Sequence, residues 1–81
     1  MRQAAIPALL KVIRTTPGGS VEATNAMYAI MTIHQHPGKG IALLRKTADS
    51  EQDGLAAVHL REAAKEAESI WCKDPGQCAE Q

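Results

Sequence analysis

The sequence predicts an all-α protein built as two antiparallel helical hairpins, arranged either as stacked helix pairs or as a four-helix bundle. Three observations carry that reading. Four segments place apolar residues at the i, i+3, i+4, i+7 spacing of a helical face. Turn signals at positions 16–20, 36–40 and 49–53 separate them, the first two built on Pro-Gly pairs. No segment alternates apolar and polar residues with the period of a strand.

The first helix is expected over about Ile6 to Thr15, with Ile6, Leu9, Leu10 and Ile13 on one face. Pro7 suits its first turn, where a missing N–H is no loss, and Thr16-Pro-Gly-Gly19 ends it. Ser20 is a suitable N-cap for the second helix, and Glu22 lies in a first turn whose dipole favours negative charge. From Ala26 to Ile33 only Thr32 is polar. A helix apolar nearly all round is a buried one, so this is the expected central element, ending at His36-Pro-Gly38. A short third helix is expected over about Lys39 to Ala48, with Ile41, Leu44 and Ala48 on one face and Leu43 beside them. Ser50 with Asp53 three residues on resembles a capping box for the last helix, which runs from about Gln52 to Trp71 or Cys72. Its inner stripe is Ala56, Leu60, Ala63, Ala67 and Ile70, with Arg61, Glu62, Lys65, Glu66 and Glu68 outside. The expected core is Leu9, Leu10, Ile13, Met27, Ile30, Leu44 and Leu60.

Eighty-one residues make a single helical domain, 1–81, with a tail at 73–81. Phe is absent and Tyr28 and Trp71 are the only aromatics, so small aliphatic side chains do the packing. A core so thin leaves stability for a partner or a second copy to supply. No apolar run approaches the roughly 18–20 residues that span a bilayer. The stretch Ala4 to Ile13 contains Pro7 and Lys11 and lacks the cleavage pattern of a signal peptide. A cytoplasmic protein is expected, or an exported one if a signal has been removed ahead of Met1. Cys72 and Cys78 flank Lys73-Asp-Pro-Gly76, a turn-forming stretch. They either close a small disulfide ring or stay as two reduced thiols, the form expected in a cytosol. Two cysteines are too few for a structural zinc site.

Sliding the chain by 34 residues superimposes its halves without a gap: Ala8-Leu9-Leu10-Lys11 falls on Ala42-Leu43-Leu44-Arg45, Val21 on Leu55, Ala23 on Ala57 and Ala29 on Ala63. A period in this range marks stacked helix pairs. Ala5-Ile-Pro-Ala-Leu-Leu-Lys-Val-Ile13 and Val21-Glu-Ala-Thr-Asn-Ala-Met-Tyr-Ala-Ile30 resemble the first and second helices of a HEAT or armadillo unit. The resemblance gives two units, 5–37 and 39–72. It implies a protein-binding or scaffolding surface with no chemistry attached. A four-helix bundle accounts for the same pattern.

The residues that carry chemistry are sparse. His34 and His36 point to different sides of a helix end, and a cationic imidazole there would meet the negative end of the dipole. His59 is isolated on the last helix and reads as a surface or capping residue. Neither cysteine has a histidine nearby in sequence, and no nucleophile elbow occurs. Gly18-Gly19-Ser20 before a helix offers backbone N–H groups to an anion, yet a turn with an N-cap explains it. Glu62 and Glu66, four apart on a charged face, read as solvation. No enzyme, no cofactor and no metal site is expected.

Charge is more informative. The net charge is zero, but residues 1–48 balance at +5 and residues 49–81 at −5. The expected function is a small non-enzymatic interaction or scaffolding module that self-associates as a homodimer or binds another protein. Met27, Tyr28, Met31 and Trp71 form its expected interface. The alternative is a nucleic-acid- or anion-binding protein using Lys11, Arg14, Lys39, Arg45 and Lys46. The missing net basic balance and the missing interleaved aromatics weigh against nucleic acid.

Overall fold

Helix α1 (Ile6–Thr15) follows a short 3-10 turn over Gln3–Ala5 and leads into α2 (Val21–Ile33), α3 (Pro37–Ser50) and α4 (Gly54–Trp71). The computed structural model describes residues 3–34 and 36–72, and no strand occurs among them. The chain is all-α, as its periodicity requires.

Local chemistry sets the helix ends. Pro7 sits in the first turn of α1, and Thr16 leaves the helix in an extended conformation. Gly19 turns the chain with φ +85°, left-handed backbone that a residue with a Cβ adopts only at a cost. The Ser20 hydroxyl then accepts from the Ala23 N–H at 3.2 Å, capping α2 as expected.

Two boundaries differ from the sequence reading. The third helix is not a short segment starting at Lys39, because the His36-Pro-Gly38 break also starts the next helix. His36 Nδ1 accepts from the Gly38 N–H at 3.1 Å, and Pro37 takes the first helical position. The imidazole thus serves an N-terminus rather than facing the C-terminal end of α2. Ser50 is also not the N-cap of α4. It belongs to the last turn of α3, where its hydroxyl donates to the Lys46 and Thr47 carbonyls. Asp53 caps α4 instead, its Oδ1 accepting from the Leu55 and Ala56 N–H groups at 3.0 and 3.3 Å.

The five largest fully buried side chains are Ile13, Met27, Ile30, Leu44 and Leu60, so every helix contributes at least one. Leu9 and Leu10, also expected inside, are only partly buried and pack against this cluster from α1. Alanine fills the rest: Ala56, Ala57, Ala63, Ala64 and Ala67 line the inner side of α4. Small side chains let α4 approach its neighbours closely.

The two hairpins, α1/α2 and α3/α4, are joined by contacts of α1 with α4 and of α2 with α3, closing the helices into a ring. Helices α2 and α4 also touch across it, so α2 shares the central position with α4 rather than holding it alone. The gapless superposition of the halves does not hold. The connection between α1 and α2 spans 16–20, that between α3 and α4 only 51–53. In α2 and α4 the burial pattern corresponds from cap to cap, one residue out of the gapless register. Ala23, Ala26, Met27, Ile30 and Met31 after Ser20 answer Ala56, His59, Leu60, Ala63 and Ala64 after Asp53.

Candidate interaction surface

Packing rearranges the charge that the sequence divides between its halves. Arg14 near the end of α1 meets Glu51 in the α3–α4 connection, with Nε 2.6 Å from Oε2 and Nη2 donating to Oε1 at 3.0 Å. This hydrogen bond from Arg14 holds the Glu51 carboxyl below the usual glutamate range. Arg45 pairs with Glu68 at 2.8 Å, and Arg61 with Asp49 at 3.3 Å. Two of these three ion pairs join the basic N-terminal half to the acidic C-terminal half. Of the five expected basic-surface residues, Arg14 and Arg45 are thereby neutralised. Lys11, Lys39 and Lys46 stay exposed on α1 and α3 with no ion pair among the described residues.

The residual acids lie on the other two helices. Glu22 is exposed at the start of α2. On α4, Glu62 Oε1 accepts from the Gly18 N–H at 3.3 Å, and Glu66 Oε1 from the Thr24 hydroxyl at 3.4 Å. These donors are neutral, so neither contact pairs a carboxylate with a cation. Lys65 is the one exposed cation on α4 outside an ion pair among the described residues. Once internal pairs are counted, unpaired positive charge sits on α1 and α3, and unpaired negative charge mainly on α2 and α4.

The large apolar residues left in water follow the same division. Val21 is 72% exposed, Leu55 65%, Val58 46% and Tyr28 43%, and all four belong to α2 or α4. These two helices, which touch across the ring, run in the same direction, because the contacts climb in step: Gly18 just before α2 with Glu62, Thr24 with Glu66, then Tyr28 with Trp71. The two rings meet edge to face, with centroids 5.0 Å apart. The exposed large apolar side chains are thus confined to α2 and α4, two helices that touch at Thr24–Glu66 and Tyr28–Trp71.

Burial corrects the interface read from the sequence. Met27 and Met31 are core residues, 0% and 5% exposed. The approach of α3 covers Met31: a Cβ on Gly40 would stand 2.6 Å from its sulfur, so any larger residue there would push the methionine side chain aside. Tyr28 is exposed and Trp71 half-buried, leaving these two of the four at the surface. Sequence reasoning missed Val21, Leu55 and Val58. A helix apolar on nearly every side gives no clue which side its neighbours leave open, and Leu55 and Val58 depart from the stripe of α4 only by their angular position.

Other features do not assemble into a site. His59 is buried, not at the surface, and its Nδ1 lies 2.9 Å from the Arg14 carbonyl. A carbonyl only accepts, so Nδ1 carries the proton and caps the end of α1. The Gly18 N–H is taken by the chain's own Glu62 carboxylate, in the place where an external anion was weighed. A shallow depression of about 420 Å³ on α3 is lined by Gly38, Ile41, Ala42, Arg45, Lys46 and Asp49, with Glu68 beside them. Its Arg45, Asp49 and Glu68 are already engaged in ion pairs. Cys72 is half-buried at the end of α4 and is not a free thiol, while Cys78 lies outside the described residues. No group of three or more His, Cys, Asp or Glu side chains converges among the described residues. No helix among them is long and apolar enough to cross a membrane. Comparison of the chain with protein-family models, with curated proteins and with solved structures finds no match.

Proposed function

We propose that the protein is a small non-enzymatic protein-interaction module whose docking surface is the α2/α4 face. One observation carries the reading: Val21, Tyr28, Leu55 and Val58, the large apolar side chains most exposed, all come from the same two helices. Isolated exposed apolar residues are ordinary, but their restriction to two of the four helices favours that side as the one another chain covers. The resemblance of each hairpin to a HEAT or armadillo unit is in keeping with a scaffolding role. Self-association loses its main apolar basis with Met27 and Met31 inside the core, so a second copy becomes one occupant among those to be tested.

Photo-crosslinking in the native host tests this directly. A photoreactive residue at Val58 is expected to give discrete protein adducts, and the same residue at Lys46 on α3 few or none. Equal labelling at both positions, or none at position 58, would contradict the proposal.

A further inference from the structure

We infer that the Asp53–Gly54 linkage is the chain's site of spontaneous isomerisation to isoaspartate, a modification that uncaps α4. The chemistry needs an Asp or Asn side chain followed by a main-chain N–H that is free to attack it. The residues of those two types are Asn25, Asp49, Asp53 and Asp74. Asn25 lies inside α2 and Asp49 inside α3, so the N–H groups of Ala26 and Ser50 belong to the helical ladders. Asp74 precedes Pro75, which has no N–H. Asp53 differs on each count. It stands in the exposed α3–α4 connection, and Gly54 opens α4, where the first N–H groups find no acceptor within their helix. The cap takes the next two amides: Asp53 Oδ1 accepts from Leu55 and Ala56 at 3.0 and 3.3 Å. The Gly54 N–H is left without a hydrogen bond among the described residues. The same two bonds turn the carboxyl toward the residues that follow, the side on which a ring with Gly54 closes. A Cβ on Gly54 would meet nothing within 4 Å, so the ring and the water that opens it both have room.

In the step, the Gly54 nitrogen attacks Cγ of the protonated Asp53 carboxyl. The N–Cγ bond forms, the Cγ–OH bond breaks, and the hydroxyl leaves with the amide proton as water. Water returning to Cγ restores aspartate. Water adding to the main-chain carbonyl of Asp53 breaks the bond from that carbon to nitrogen instead. It leaves isoaspartate, whose chain runs through Cγ and is one methylene longer. The step is redox-neutral, and the water released is the water consumed. The free carboxylate then hangs from Cα, out of register with the Leu55 and Ala56 amides, so α4 loses its cap. The Asp53 N–H also donates to Glu51 Oε1 at 3.3 Å, so the change reaches the Arg14–Glu51 pair that joins the hairpins.

The test holds the full chain in neutral buffer at physiological temperature for weeks and locates isoaspartate by fragmentation that cleaves the Cα–Cβ bond. It is expected at residue 53 and not at residue 49. A Gly54→Ala variant of unchanged helicity should accumulate it more slowly, because a side chain on the attacking residue crowds the ring. The modified fraction, separated from the rest, should melt about 4–8 °C lower, as loss of one helix cap implies. No isoaspartate at 53, or equal accumulation at 49, would overturn the inference. So would a modified fraction that melts with its parent, since the linkage would then not carry the cap.

Discussion

Arg14 shows how much of this fold hangs on single residues. Its guanidinium holds Glu51, whose Oε1 also accepts from the Asp53 N–H, and its carbonyl accepts a hydrogen bond from Nδ1–H of the buried His59. One residue of α1 thus ties the first hairpin to the α3–α4 connection and to α4. The Glu51 carboxyl is held below its usual range chiefly by the Arg14 hydrogen bond, so its folded pKa lies below its unfolded one. The sign follows: the stabilisation is complete above the unfolded value and is lost as pH falls through the folded one. Melting temperature measured from neutral to acid pH should therefore fall in the wild type with a component that Glu51→Gln lacks. Identical profiles would remove Glu51 from the account. The caps at Ser20 and Pro7 were legible in the sequence, because their residue types act on the next few residues. The role of His59 was not, since its partner is remote in sequence and nothing in the local pattern of α4 marks it as buried.

The helices themselves were legible where periodicity and a strong breaker agreed. Helix α1 runs over the expected Ile6–Thr15, bounded by Pro7 and the Pro-Gly turn. Boundaries slipped where one residue could serve two roles: Pro37 both ends α2 and begins α3, and Ser50 competes with Asp53 for the start of α4. The core followed from the stripes, with a gradation that the sequence did not contain. Leu10 is partly buried, while Leu60 is fully enclosed. Leu60→Ala should cost about 2–5 kcal/mol as a core truncation. Leu10→Ala should cost clearly less, since solvent already reaches its site. Chemical denaturation of the two variants measures the difference, and equal losses would mean that α1 is more tightly enclosed than its exposure indicates.

For the whole molecule, the relevant pattern is the sorting of charge and apolar surface by helix. The sequence shows a basic half and an acidic half. Folding pairs Arg14 and Arg45 of the first with Glu51 and Glu68 of the second and leaves the remainder divided between α1/α3 and α2/α4. That division depends on which helices become neighbours, and no local pattern encodes it. The candidate surface was therefore only partly foreseeable: Tyr28 and Trp71 were named, whereas Val21, Leu55 and Val58 emerge only from the packing. The central claim, that α2 and α4 carry the docking surface, is tested most directly by photo-crosslinking in the native host from each exposed position in turn. The account predicts protein adducts from Val21, Tyr28, Leu55 or Val58, with few or none from Lys11, Lys39 and Lys46. Adducts centred on α1 and α3 instead would contradict it.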